Sequence, residues 1–401
     1  MLTNITAAFE KTAVFDSAIS EPQYADWKPP GELWKSTEAG GQTYEIWKGS
    51  LVDMAVKQMV RRVQIFVPFF IEGGTFIDLS EPEWSLERWT IFFLYQKKSV
   101  DTTPATSPYV FMGYSTVYRY FLYQPVAGPS SSSPKKQAIN RPANLNFEFP
   151  LPQSSFSSLP CRSRISQFVI LPPFQQGGNG SRFYNAIFDF YLQQLQTIEI
   201  TVEDPNEAFD DLRDLNDLAR LRADPEFMAL RINTDVVTRG KGPVPRDIVD
   251  IDALEKVRRK YKIAPRQFYR VVEMRLLSLI PAGVRQSLLV EQENSKKAVP
   301  DLKVREHEYH LWQLWVKKRL YKHNKDTLIQ LDRVERIEKL EEALGGVEAD
   351  YARLLRALDS RSKLNNGGAN NAGGAASNGK RSSPGEPEDG EPAAKKVKFT
   401  A

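Results

Sequence analysis

A glycine-rich turn between two apolar segments carries the clearest chemical signal in this 401-residue sequence. Ile165–Leu171 is a short apolar run that predicts a strand, and Ser181–Gln194 has the periodicity of an amphipathic helix. The six residues of Gln175–Gly180 between them include three glycines. Glycine lets a backbone approach a ligand closely and a helix N-terminus attracts anions, so this turn is suited to hold a pyrophosphate. The alternative is a tight strand-to-helix connection that binds nothing.

Two carboxylates stand at the end of the next predicted strand. Ile198–Glu203 alternates apolar and polar residues, which predicts a strand with Ile198 on its core face and Glu203 on the opposite face. Glu203 is therefore a candidate general base beside the turn. Asp204–Glu207 reads as a helix start, with Asp204 as the N-cap and Glu207 at the capping-box position. Asp204 is thus either a second acid of the site or a helix cap.

Composition and motif spacing exclude several classes of protein. The turn matches neither the G-x-G-x-x-G of dinucleotide-binding folds nor the G-x-x-x-x-G-K-[ST] of nucleoside triphosphatases. One cysteine and three histidines exclude a disulfide framework, and we predict no metal site. No apolar run approaches the about 20 residues of a membrane span, so we expect no membrane partner. The net charge of +4 neither requires nor excludes nucleic acid.

Longer runs around the turn point to a family. Residues 164–180 read Arg-Ile-Ser-Gln-Phe-Val-Ile-Leu-Pro-Pro-Phe-Gln-Gln-Gly-Gly-Asn-Gly, and residues 200–206 read Ile-Thr-Val-Glu-Asp-Pro-Asn. Together they resemble the GNAT acetyltransferase superfamily and, within it, the type B histone acetyltransferase catalytic subunit. Shorter matches are Phe70–Asp78, Glu87–Trp89 and Gly113–Tyr118. The resemblance covers residues 27–357.

This resemblance implies an α+β fold with acetyl-CoA as co-substrate. We expect a GNAT-type mixed, mostly antiparallel sheet flanked by helices, then a helical C-terminal domain and a disordered tail. The strand residues expected to pair with the pantetheine arm are Phe168, Val169 and Ile170. The residues expected to hold the pyrophosphate through main-chain N–H groups are Gln175, Gln176, Gly177, Gly178, Asn179, Gly180 and Ser181. Asn206 is expected near the thioester arm.

Acetylation of lysine requires a base, because a free lysine with a pKa of about 10.4 is protonated at neutral pH. The resemblance makes Glu203 the leading base, beside Asp204. It assigns Glu72 to deprotonating or orienting the lysine, and the alternative for Glu72 is a surface carboxylate next to a turn. With no histidine or cysteine suitably placed, we expect the lysine to attack the thioester directly, without an acyl-enzyme.

The expected substrate is newly made histone, most simply the histone H4 tail. Seven acids against one base in residues 203–217 suit a cationic peptide, although a solvated helix face would have the same composition. By resemblance, Trp89, Tyr118, Arg119 and Tyr120 face the histone tail. Sheet packing is the alternative for these aromatic residues and for Tyr114 and Tyr123.

We predict four segments along the chain. Residues 1–160 form a β-rich part, 161–231 the acetyl-CoA-binding core, 235–357 a helical domain and 360–401 a disordered tail. In the helical domain, apolar residues from Leu331 to Leu354 form a coiled-coil-like seam interrupted at Gly345–Gly346. The seam packs either on the chain itself or on a partner helix.

The two ends of the sequence carry signals about the protein's cellular location and its binding partners. Basic clusters at Lys380–Arg381 and Lys395–Lys398 resemble a nuclear import signal, and the acids between them argue against direct binding of nucleic acid. We therefore expect the protein in nucleus and cytoplasm. Family members carry a longer stretch before the segment matching Trp27–Gly31, where this sequence has 26 residues. The resemblance implies a WD-repeat escort bound through that stretch, and the short N-terminus argues against the contact.

Two other functions fit the same residues. One is a GNAT acyltransferase that acts on a small amine or a protein N-terminus. The other is a histone-binding adaptor whose site no longer turns over.

Overall fold

The computed structural model describes residues 27–98, 107–122, 159–238, 242–281, 284 and 300–368. They belong to two compact units. The first reaches to Asn206 and also contains Tyr261–Ala264, and the second contains Glu207–Lys260 and the residues from Pro265 onward. None of the helices in these ranges is both long and apolar enough to cross a membrane.

A six-stranded sheet organises the first unit, with the strands in sequence order across it. Neighbouring strands are antiparallel from β1 to β5, and β5 and β6 are parallel. The expected mixed, mostly antiparallel sheet is therefore confirmed. The strands are Glu32–Ala39 (β1), Gln42–Ser50 (β2), Trp89–Lys97 (β3), Tyr109–Phe121 (β4), Cys161–Ile170 (β5) and Thr197–Val202 (β6).

One face of the sheet packs against helix α1, Met54–Val63. Asp53 caps this helix, since its Oδ1 accepts from the backbone N–H of Ala55 at 2.8 Å. Apolar residues at helical spacing then face the strands and lose their water, which is the main stabilising term of such a layer. The buried members of this cluster include Val56, Val60, Ile91, Phe93, Tyr114 and Val169. Short helices follow at Val67–Phe70 (α2) and Glu83–Leu86 (α3).

The other face packs against helix α4, Asn179–Gln193. Phe183, Ala186 and Ile187 of this helix are fully buried, and the ring centroids of Phe183 and Phe168 lie 5.2 Å apart. The Trp34 indole N–H donates to the carbonyl of Ala186 at 2.9 Å, so β1 is tied to the same helix. This packing fixes the start of α4 next to the end of β5.

The short segment Tyr261–Ala264 covers the outer edge of β6. Ile200 N donates to Lys262 O at 2.7 Å, which pairs this segment with the strand. The Lys262 ammonium donates to the carbonyls of Leu192 and Gln194 at 2.8 and 2.6 Å, at the C-terminal end of α4. Partial burial lowers the pKa of this lysine.

The regular elements of the second unit are all helices in its described residues, and residues 230–238 and 242–250 are loops and turns. Its helices are Glu207–Leu221 (α5), Pro225–Ala229 (α6), Ile251–Tyr261 (α7), Pro265–Leu279 (α8), Pro300–His323 (α9), Lys325–Leu328 (α10) and Arg333–Gly368 (α11). The apolar spacing of Ile251–Tyr261 and Pro265–Ile280 predicts two helices. The first has these bounds as α7, and the second ends one residue earlier as α8.

The predicted break in the seam is wrong, because α11 continues through Gly345–Gly346. Leu344, Tyr351 and Leu354 are buried within their own unit, whereas Val334 and Ile337 are exposed. Packing on the chain itself therefore accounts for the C-terminal half of the seam. The helix also includes residues 360–368, which we expected in the tail, since extending a formed helix is cheaper than starting one.

Candidate active site

The parallel strands β5 and β6 separate partway along β5. Their pairing runs to Ile165 and Val202, and the last backbone contact is Glu203 N to Ile165 O at 2.9 Å. Beyond this point β5 continues to Ile170, and β4 is its partner among the described strands. The residues predicted to pair with a pantetheine arm, 168–170, lie on this extension. An extended ligand can add to such a strand edge by backbone hydrogen bonding.

The glycine-rich turn connects this extension to α4. The helix begins at Asn179, so Asn179, Gly180 and Ser181 form its first turn, two residues earlier than predicted. Gly178 precedes the helix with φ +76°, and a Cβ at this glycine would have no atom within 4 Å. The first N–H groups of a helix have no partner within it, and they attract anions.

Side chains of the turn are used to brace it from within. Gln175 Nε2 donates to the carbonyl of Ile170 at 2.8 Å, and Asn179 Nδ2 donates to the carbonyl of Phe174 at 2.8 Å. Arg182 in turn donates to Asn179 Oδ1. This leaves the backbone of the turn as the part suited to a phosphate, as the resemblance implies.

The sequence alone did not identify Arg182 as one of the side chains that brace this turn. Its guanidinium carbon lies 4.1 Å from the ring centroid of Tyr44 on β2. The helix was predicted to begin at Ser181, and only its actual start at Asn179 puts Arg182 three residues along the same helix, where side chains meet on one face.

These features fit acetyl-CoA. The edge of β5 at residues 168–170, beyond its pairing with β6, suits an extended arm. The open space in front of Gly178 and the adjacent helix start accommodate a diphosphate. When bound, acetyl-CoA supplies the activated acetyl group as a thioester.

Glu203 lies immediately after β6 at the point where the strands separate. Its side chain is 41% exposed, Oε2 accepts a hydrogen bond from Ser166 Oγ, and Oε1 lies 3.8 Å from Arg164 Nη1. The predicted core face of β6 is wrong at Ile198, which is exposed. Ile200 is buried as predicted.

Asp204 does not cap a helix. Its φ of +32° is left-handed, whereas an N-cap needs an extended backbone, and α5 begins at Glu207. The predicted helix start at Asp204 is therefore wrong, and the residue directly before the helix is Asn206. Both Asp204 and Asn206 are exposed. Their chemical roles stay predictions.

Glu72 is exposed in a loop that is anchored to the sheet. Gln167 Nε2 on β5 donates to the carbonyl of Thr75 at 2.9 Å, and the Tyr114 hydroxyl donates to Gln167 Oε1 at 3.2 Å. Burial raises the pKa of Tyr114, which keeps this donor protonated. Within the described ranges Glu72 forms no hydrogen bond or ion pair with Glu203, so its role also stays a prediction.

Three of the four predicted peptide-facing residues form one row. The ring centroids of Trp89 and Tyr118 are 4.8 Å apart, and those of Tyr118 and Tyr120 are 4.7 Å apart. The row continues to Arg164, whose guanidinium carbon lies 4.5 Å from the centroid of Tyr120. Arg119 is separate from the row, since it donates instead to the carbonyl of Glu87 at 2.6 Å. Neighbouring residues of a strand point to opposite faces, which explains the difference.

Tyr114 does not belong to this row. Tyr114 is buried in the sheet core, as the packing alternative predicted. Tyr123 lies outside the described residues.

Much of the acidic run is neutralised inside the second unit. Asp214 and Asp217 are fully buried, and Arg270 Nη2 lies 2.5 Å from Asp214 Oδ2. Asp211 pairs with Arg353 at 2.7 Å. The partners of Asp211 and Asp214 lie far along the chain, whereas Asp217 pairs nearby, with Arg220 at 3.2 Å and with Arg213 at 3.8 Å. These three acids therefore cannot attract a cationic peptide.

No group of three or more histidine, cysteine, aspartate or glutamate side chains is placed to hold a metal ion in the described part of the chain. Cys161 is buried at the start of β5 and is not part of a disulfide.

Comparison with known proteins points to one family. The family model for the N-terminus of the histone acetyl transferase HAT1 matches residues 1–72, and the model for the C-terminal region of fungal HAT1 matches residues 245–279. Three fungal relatives are each described as a histone acetyltransferase type B catalytic subunit. The protein of Neurospora crassa is 45% identical over 372 residues, covering 89% of this chain and 71% of the relative.

The relatives from Gibberella zeae and Pyricularia oryzae are 46% and 47% identical over 363 and 357 residues. Each match covers 89% of this chain, and 72% and 73% of the respective relative. Identity at this level over most of both chains confirms the resemblance found in residues 164–206. The chain belongs to the family of type B histone acetyltransferase catalytic subunits.

Proposed function

We propose that this protein transfers acetyl from acetyl-CoA to a lysine of newly synthesised histone, with the histone H4 tail as the first candidate. The observation that carries the proposal is the separation of β5 and β6. On one side of the gap stands a glycine-flanked helix start suited to a diphosphate. At the point of separation stands an exposed carboxylate, Glu203.

Glu203 acts as the general base in this proposal. Deprotonating a lysine at about pH 7.4 costs about 4 kcal/mol, from three pKa units of about 1.36 kcal/mol each. The Glu203 carboxylate accepts that proton, so that the amine becomes nucleophilic at neutral pH. The buried thiol of Cys161 is unsuited to accept an acyl group, and we propose direct attack by the amine. Asp204 and Glu72 add negative charge for the incoming ammonium.

The row of Trp89, Tyr118 and Tyr120 supports a peptide substrate. It presents aromatic faces that end at Arg164 and Glu203. Aromatic faces suit the aliphatic stem and the ammonium of a lysine. A small amine would make little use of such a row, which favours an internal lysine over the alternative substrates.

A peptide panel tests the substrate. We expect mass spectrometry to find acetyl on an internal lysine of a histone H4 tail peptide incubated with acetyl-CoA and the protein. A matched peptide with every lysine replaced by arginine keeps its charge and its free N-terminus, and it should stay unmodified. Acetylation of that control would favour an N-terminal acetyltransferase, and no acetylation of any peptide would favour the adaptor.

We also propose that the basic clusters of the tail direct the protein to the nucleus, with a cytoplasmic pool before import. Both clusters lie outside the described residues. Replacing Lys395, Lys396 and Lys398 by alanine is expected to shift a fluorescent fusion toward the cytoplasm. An unchanged distribution in that variant and in one that also lacks Lys380 and Arg381 would contradict the proposal. A WD-repeat escort stays a prediction.

A further inference from the structure

The carboxylate of Glu203 is held by two side chains of β5 to which the family resemblance assigned no role. Ser166 Oγ donates to Glu203 Oε2, since an ionised carboxylate is only an acceptor. Arg164 Nη1 lies 3.8 Å from the other oxygen, Oε1. That distance is an ion pair and too long for a hydrogen bond. The two oxygens of Glu203 are therefore in different environments.

Ser166 lies at a bulge in β5, on the same face of the strand as Arg164. Thr116 of β4 pairs with Gln167, and the next residue, Val117, pairs with Ile165. Ser166 is thus the extra residue of the bulge and has no partner on β4 in this register. A bulge bends its strand and redirects the extra side chain. Here the hydroxyl is directed at the residue that ends the neighbouring strand.

Arg164 is itself held in place. Its guanidinium lies over the ring of Tyr120, and Nη1 is 3.4 Å from the Tyr120 hydroxyl. Its positive charge thus stays near Oε1 without a hydrogen bond to it. Oε1 keeps its lone pairs for another donor.

We propose that Ser166 is a positioning residue for Glu203, which fixes Oε2 so that Oε1 is presented to the lysine ammonium. This inference rests on the proposed role of Glu203 as the base. A half-exposed glutamate has three rotatable side-chain bonds, and without Ser166 its carboxylate would sample several positions. A base must lie within hydrogen-bond reach of its proton, and a misplacement of about 1 Å can cost about 100-fold in rate.

The test is a double-mutant cycle between Ser166 and Glu203. Ser166→Ala is expected to lower kcat by about tenfold, within the range that misplacement produces, with KM for acetyl-CoA unchanged. Ser166→Thr keeps the hydroxyl and should restore most of the rate. Adding Ser166→Ala to Glu203→Gln should cause no further loss, because the carboxylate that Ser166 positions is already gone.

Ser163→Ala is the matched control. Ser163 lies on the same strand, and its hydroxyl is bonded to Thr197 Oγ1 at 2.9 Å, away from Glu203. This variant should keep the wild-type kcat. A crystal structure of Ser166→Ala provides a readout besides activity, and it should show Glu203 displaced or in several conformers.

The outcomes separate the inference from the proposed function. If Glu203→Gln is slow but Ser166→Ala is as fast as wild type, or if the two losses multiply, the positioning role is overturned and the base stands. An unmoved Glu203 in the Ser166→Ala crystal would also overturn it. If Glu203→Gln keeps full turnover, the base assignment fails, and the inference fails with it.

Discussion

Glutamine in place of Glu203 is expected to slow acetyl transfer at pH 7.4 by at least about 100-fold, since a positioned general base contributes about 10²–10⁴-fold. The substitution keeps the shape of the side chain and removes its charge and its ability to accept a proton. The backbone contact of residue 203 to Ile165 O does not depend on the side chain. We therefore expect a folded protein with unchanged affinity for acetyl-CoA.

The pH dependence of this variant distinguishes a base from a binding residue. Without the base, the reaction depends on the fraction of lysine that is already neutral, which rises about tenfold per pH unit below a pKa of about 10.4. The rate of Glu203→Gln, measured by steady-state kinetics from pH 7 to 9, should rise accordingly. The wild type should depend less steeply on pH.

Glu199→Gln is the control for Glu203. Glu199 lies on the same strand, and Oε1 pairs with Arg162 Nε at 3.1 Å. Its loss removes one carboxylate from β6 without touching Glu203, so near-normal turnover is expected. A low rate of Glu203→Gln with no rise toward alkaline pH would instead show that Glu203 binds substrate rather than accepting a proton.

The local sequence was sufficient to predict those helices, strands and turns whose structure depends mainly on their own residues. The aromatic and β-branched residues of β3 and β4 predict strands on composition alone, and both are strands. The apolar spacing of α1 and α4 predicts the faces that pack on the sheet. The glycine-rich turn was placed correctly for the same reason, since glycine and the following helix act within a few residues.

The predictions were wrong where contacts with residues distant in the sequence determine the local structure. Asp204 has the sequence of an N-cap, but the chain leaves β6 with a left-handed residue and starts α5 later. Two glycines cost about 1 kcal/mol each in a helix, yet the burial of Leu344 and Tyr351 on either side keeps α11 continuous. Asp214 was counted as a free acid because its partner, Arg270, lies 56 residues away.

The link between Ser166 and Glu203 was also beyond sequence reasoning. It involves the extra residue of a one-residue bulge, and nothing in the local composition of β5 specifies which residue that is. The bulge is set by the register of β4 against β5, which involves residues about 50 positions apart. In the sequence, Ser166 and Gln167 are only two neighbouring residues of a family motif. In the structure, Ser166 contacts Glu203 after β6, whereas Gln167 contacts the loop of Thr75.

A glutamate in place of Gly178 is expected to weaken acetyl-CoA binding by more than tenfold. A side chain here would enter open space in front of the first turn of α4, where we place the diphosphate. Its carboxylate would repel that anion and compete with it for the N–H groups of the helix start. Calorimetric titration with acetyl-CoA measures the loss, and added salt should reduce it, since exposed charges are screened.

Gly41→Glu is the matched control for the backbone strain that a substitution at Gly178 introduces. Gly41 lies in the turn between β1 and β2 with φ +73°, against +76° at Gly178, and a Cβ there would also have no atom within 4 Å. Both substitutions force an L-residue into the left-handed region, which costs about 1–2 kcal/mol. We expect lower thermal stability in both variants and weaker binding of acetyl-CoA only in Gly178→Glu.

The affinity of Gly178→Gln for acetyl-CoA should lie between that of Gly178→Glu and that of the wild type, because glutamine adds bulk without charge. Equal affinity of Gly178→Glu and Gly41→Glu for acetyl-CoA would mean that the diphosphate binds elsewhere.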